Sequence, residues 1–184
     1  MLTRNVIAAS SIALVAGLAG VSSLGMAARP PVTDTLPAVQ LVGHDSKILT
    51  PRFVLVRDQE AWDALWAEHT GVDVKHGAMA RHTAPKIDFA RFMVVGAFGG
   101  ATTNTDGEEA RSVSLSDHAV RIRYESSTFQ TSSFSDRPDT GVKTSPFGLW
   151  VIEASNMPVV IEEGRRGLKD SPLSWHEVKR FVVK

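Results

Sequence analysis

Arg4 is the only charge ahead of Arg29, and residues 6–24 (VIAASSIALVAGLAGVSSL) run uncharged and rich in Ala, Val, Leu, Ser and Gly. Gly25 and Ala27 then set small residues three and one before a cut after Ala27. A positive start, an apolar stretch and a small-x-small site are the three parts of a secretory signal. Residues 1–27 are therefore expected to be a signal peptide, and the folded part is expected in the periplasm or outside the cell. The run also approaches the ~20 residues that span a bilayer. An uncleaved, membrane-anchored form is the alternative, and this segment is the only membrane contact expected. No second apolar run approaches that length.

Beyond the signal the chain has to fold without covalent help, because it has no cysteine. Disulfides, thiolate metal sites, thiol nucleophiles and acylation of an N-terminal Cys are excluded. The hydrophobic core must suffice. With 184 residues, 43% hydrophobic and 22% charged, a single self-sufficient domain is expected. Lys plus Arg balances Asp plus Glu at 20 each. A neutral chain makes no electrostatic case for nucleic acid, where phosphate neutralisation dominates affinity.

Residues 28–37 (ARPPVTDTLP) hold three prolines and little to bury, which predicts a linker. Residues 38–184 are then one β-rich domain. Val39 and Leu41 begin a first strand. Residues 52–56 (RFVLV) and 92–98 (FMVVGAF) are apolar on both faces, as strands covered on both sides are. Asp58 has the chemistry of an N-cap, and Trp62, Leu65, Trp66 and His69 behind it fall on one helical face. These signals predict a helix over 58–70, ended by Gly71. Residues 101–110 are polar, with Asn104 and Asp106-Gly107 as turn residues. Residues 111–125 alternate apolar and polar, which predicts a hairpin turning at Asp117-His118, where His118 would tolerate positive φ.

Residues 147–153 (FGLWVIE) are a strongly apolar strand, and residues 159–161 return after Asn156-Met157-Pro158 as a second hairpin. Ser174-x-x-Glu177 matches a capping box, and Trp175, Val178 and Phe181 behind it predict a short C-terminal helix. Strand runs without βαβ alternation define the class: α+β, a β-rich antiparallel sheet or sandwich-like domain with one amphipathic helix (58–70) and a short C-terminal helix.

Catalytic motifs are missing after the signal. There is no G-x-S-x-G elbow, S-x-x-K box, H-E-x-x-H or phosphate-binding loop. His69, Asp73, His76 and His82 lie within fourteen residues, but their spacing matches no ligand motif. His69 is expected to end the apolar helix face, so no metal and no cofactor is expected. Glu108-Glu109 and Glu162-Glu163 are expected in solvated turns, and Arg121 and Arg123 on a solvated strand face. These absences weigh against an enzyme. Binding then falls to loops on a rigid sheet, here residues 99–107 and the Ser/Thr-rich residues 126–145. The candidate partner-binding residues are Gly100, Thr102, Thr103, Asn104, Phe129, Phe134 and Arg137. Phe129 and Phe134 are either contact anchors or pegs that hold their loop to the core.

The order of several residues resembles the domain family named after PrcB, the accessory subunit of a bacterial surface protease complex. The carriers are Trp62, Leu65 and Trp66, then Pro85-Lys86-Ile87-Asp88-Phe89, Met93-Val94-Val95, Phe98, Gly100, the 111–125 hairpin and Pro146-Phe147. They cover about residues 52–162. The chain departs from the family's Thr-Gly-Gly-Tyr-like turn, where Ala101-Thr102-Thr103-Asn104 stands without the aromatic. The resemblance implies an exported domain that contacts another protein, such as a protease, in an accessory or regulatory role. It implies no catalytic residues. The alternatives are an envelope hydrolase using carboxylates or a loop metal, and a membrane-anchored structural domain.

Overall fold

The computed structural model describes residues 34–71, 83–116, 118–131, 141–167 and 171–182. The expected signal and most of the expected linker lie outside them. The strands are β1 (Asp34–Thr35), β2 (Val39–Gly43), β3 (Arg52–Val56), β4 (Phe92–Phe98), β5 (Thr102–Thr103) and β6 (Thr105–Leu115), then β7 (Val120–Thr128), β8 (Lys143–Thr144), β9 (Phe147–Glu153), β10 (Val159–Arg165) and β11 (Ser174–Phe181). The helix α1 (Gln59–Thr70) lies between β3 and β4 in the chain. One sheet has the order β1-β6-β7-β10-β11 and the second β2-β9-β4-β3, and β5 with β8 makes a two-stranded ribbon.

Three layers result from the alternation of two strands. In β4, Met93, Val95 and Ala97 face the first sheet and meet Ile122, Tyr124, Val159 and Ile161. Val94 and Phe98 face the other way, onto Trp62 and Leu65 of α1. In β9, Trp150 and Ile152 join the inter-sheet core, whereas Phe147 and Leu149 join the helix-side core. This is why 92–98 has no polar face: a strand sandwiched between a sheet and a helix has no side left for water.

The helix begins as its sequence requires. Asp58 Oδ1 accepts the Ala61 N–H at 2.8 Å, and the N–H of Gly71 caps the far end on Ala67 O. Trp62 is buried, and its Nε1 donates to Pro85 O at 2.8 Å.

Three expectations are corrected. The C-terminal helix is the strand β11, paired antiparallel with β10. A bulge opposite Ile161/Glu162 leaves Val178 as an extra residue. Val178 and Phe181 can therefore both reach the core although they are three apart, while Trp175 lies under Arg123. A bulged strand has imitated helical spacing. The second hairpin is absent: β9 belongs to the second sheet and β10 to the first, where β10 runs parallel to β7. The Asn156-Met157-Pro158 turn carries the chain from one sheet to the other. The third correction concerns 101–110: Thr102–Thr103 is the short strand β5, and from Thr105 onward, Asp106-Gly107 included, the segment is β6.

The 111–125 hairpin is present and longer than its alternation suggested, since β6 pairs with β7 from Thr105 to Leu115. Its turn is closed by Ser116, whose Oγ accepts from Ala119 N at 3.2 Å. Asp117 lies outside the described residues, and His118 does not take positive φ. Among the described non-glycine residues that conformation belongs to Asn104, at φ 55°. Asp34–Thr35, within the expected linker, pairs with Ser114 and Val113 at the sheet edge.

Candidate functional site

The inner face of the first sheet changes character along its strands. At one end it presents Val120, Val159 and Phe181, then Ile122 and Ile161. At the other end the same face presents Tyr124 opposite Glu163, and Ser126 opposite Glu108. Apolar packing gives way to polar groups still held between two sheets. Across from them the second sheet offers Arg52, Phe53, Ala97, Phe98, Gly99 and the adjoining Pro51 and Pro146. The space between is a cleft of about 420 Å³, within the range of small-ligand sites.

Glu108 lines this cleft and is itself buried, 5% exposed. Ser126 Oγ donates to its Oε2 at 2.5 Å. Burial pushes the Glu108 carboxyl above the usual range, the serine hydroxyl pulls it back, and Glu163 pushes it up again. Burial also raises the Tyr124 phenol, helped by Glu163 and Glu108. Arg52 lines the cleft, but its guanidinium is engaged on the helix side: Nη2 donates to Glu68 Oε2 at 2.5 Å, and Cζ lies 5.8 Å from the Phe98 ring centre. Its Nε is buried and has no hydrogen-bond partner among the described residues.

Glu162 makes an instructive contrast. It is as buried as Glu108, at 7%. Arg121 Nη1 and Arg123 Nε both pair with it on the outer face of the same sheet. Neither glutamate is in a solvated turn as expected, and the two arginines are not an unpaired basic face.

Of the residues singled out from sequence, Thr102, Thr103, Asn104 and Phe129 lie close together beside the cleft. Asn104 holds the turn and the Ser/Thr-rich loop together. Its N–H donates to Val142 O at 2.9 Å, its Oδ1 accepts from Val142 N at 2.7 Å, and its O accepts from Phe129 N at 3.0 Å. Thr102 pairs with Thr144 and Thr103 with Lys143, so β5 and β8 form a ridge. Thr102 and Thr103 are exposed, with Val142 and Leu49 exposed nearby. A groove beside the ridge is lined by His44, Asp45, Lys47, Leu49, Val142 and Lys143.

Gly100 is buried. At φ 73° it presses against Pro51 N and Leu49 O, where a side chain would collide. Phe129 is half-buried, with its ring 6.4 Å from that of the exposed His44. Phe134 and Arg137 lie outside the described residues, as do Asp73, His76 and His82. His69 does close the apolar helix face. Its Nδ1 lies 3.0 Å from Ser46 Oγ and its ring packs on Phe147 at 4.3 Å. Burial lowers its pKa, and Asp45 partly opposes this. Among the described residues no group of three or more ligand-type side chains is arranged to hold a metal ion. Among the described residues no histidine lines the Glu108 cleft.

Together these features define a two-sheet sandwich with a helical third layer, bearing a loop ridge and a carboxyl-lined cleft at one end. No family model, no curated protein and no solved structure matches the chain.

Proposed function

We propose that this chain is an exported protein-binding domain that meets its partner through the β5–β8 ridge. Its role is accessory or regulatory, and the resemblance to the PrcB-type domains makes a protease the expected partner. Export rests on the N-terminal signal, and membrane contact is confined to that segment. The observation that carries the reading is the pair of hydrogen bonds between Asn104 and Val142. It turns two loops far apart in sequence into one exposed surface on a rigid sheet. The groove beside it sets Lys47 and Lys143 around exposed Leu49 and Val142. It suits a partner segment that combines apolar side chains with carboxylates.

A photo-crosslinking residue at Thr103 tests this in cells that export the protein. The expected result is one adduct of fixed mass, also obtained from Lys143. It should be lost on Val142→Asp and absent when the probe sits at Glu60 on the helix. Equal adducts from Thr103 and Glu60, or none from the ridge, would overturn the reading.

A further inference from the structure

We propose that the cleft around Glu108 is a binding site for an alkylammonium group, either a lysine side chain or a free aliphatic amine. This site adjoins the ridge, with Thr102 lining both, and an internal comparison points to it. The first sheet buries two glutamates. Glu162 has two guanidinium groups to balance it. Glu108 has a serine hydroxyl on Oε2 and, among the described residues, nothing on Oε1. A buried carboxylate without a cation is costly. The cost here falls on a group that lines a cleft, not one sealed in a core.

The groups facing Glu108 from each neighbouring element increase the deficit of positive charge. Glu163 comes from β10, and Tyr124 and Ser126 come from β7. On the second sheet, the Arg52 guanidinium of β3 turns to the helix side, where it pairs with Glu68. Arg165 pairs with Glu163 from a largely exposed position. The apolar walls are Phe53, packed on the inter-sheet core, with Pro51 and Pro146. They suit a hydrocarbon stem, and aromatic faces also attract a cation. A ligand with an aliphatic chain ending in –NH₃⁺ satisfies both parts. Its ammonium would donate to Glu108 Oε1 and the Glu163 carboxylate, and its stem would lie against the rings. Binding ionises Glu108, so the proton it releases goes to solvent and affinity rises with pH above the ordinary glutamate range.

The test uses the exported protein and backbone amide NMR, with pentylammonium, Nα-acetyl-lysine methylamide and neutral pentanol as probes. At neutral pH one or both amines should shift the Glu108, Ser126 and Glu163 resonances saturably, and pentanol should not. Preference for the lysine derivative assigns the site to a polypeptide side chain, and preference for pentylammonium to a small amine. Either outcome supports the ammonium chemistry. Glu108→Gln should weaken binding roughly tenfold. Glu163→Gln, at a less buried position, should weaken it several-fold and serves if the first variant does not fold. Pentanol matching the amines, calcium shifting these resonances where neither amine does, or unchanged affinity in the foldable variants would overturn the proposal. The ridge reading is untouched by that failure, since neither variant alters β5 or β8.

Discussion

Two buried residues respond to pH with opposite sign. The Glu108 carboxyl is raised in the folded chain, chiefly by burial. The native state therefore holds its proton where the unfolded chain has lost it. Its contribution to stability is full below the ordinary glutamate value of 4.5 and is lost as pH rises through the folded value. Glu108→Gln should match the wild type in urea melts near about pH 4 and exceed it near about pH 7. An identical difference at both values would refute the assignment. His69 is lowered, again chiefly by burial, so its contribution is present above 6.5 and lost as pH falls through the folded value. His69→Phe should lose stability less steeply than the wild type on acidification over that window, as followed by urea midpoints. The inward turn of Glu108 was hidden by a bulge. Counting back by twos from Leu115 and Val113 points Glu109 inward, but the register shift between Ala110 and Ser112 resets the phase and brings Glu108 in. The burial of Glu162 had a readable trace, since Arg121 and Arg123 alternate on a strand that pairs with its own.

At the scale of elements, α1 was fully legible because each of its signals is local: cap, stripe and stop. Trp62 is 1% exposed against Val94, Phe98 and Leu149, so Trp62→Ala should cost about 3–5 kcal/mol in chemical denaturation. Asp58→Ala removes one capping bond and should cost about 1 kcal/mol. If the two costs were alike, the helix would not be held chiefly by its buried face. The terminal strand was misread because its evidence is not local. Ser174, Glu177 and the spacing of Trp175, Val178 and Phe181 satisfy a helix, and what overrides them is the open edge of β10. Val159, Val160 and Ile161 are buried there, and their backbone groups need a paired neighbour. The arginine–glutamate pair 177/180, three apart, is compatible with either conformation and decided nothing.

Over the whole molecule, the sandwich is closed along one side, and a cleft is left open at one end. On the closed side Ala110 N donates to Gln40 Oε1 at 3.2 Å, and Trp150 Nε1 donates to Glu108 O at 3.3 Å, so β6 bonds directly to the second sheet. This approach requires glycine at 148: a Cβ there would strike the Glu108 carbonyl and come within 2.8 Å of Trp150 Nε1. A backbone carbonyl in a paired strand cannot step aside, so Gly148→Ala must push the sheets apart, at a cost of about 3 kcal/mol. The same movement lifts Glu108 from between the sheets and lets water reach it. The variant's stability should therefore depend less on pH between the acidic and neutral ranges than the wild type's, measured by paired urea midpoints. Gly164→Ala is the control, since its Cβ meets the movable side chains of Glu125, Trp175 and Leu173. It should cost less and leave the pH response intact. Were Gly148→Ala to lower stability while keeping the full pH response, the pinch and the buried carboxyl would be independent features. The cleft would then owe its depth to the walls from Pro51 to Phe53 rather than to the closure of the sandwich.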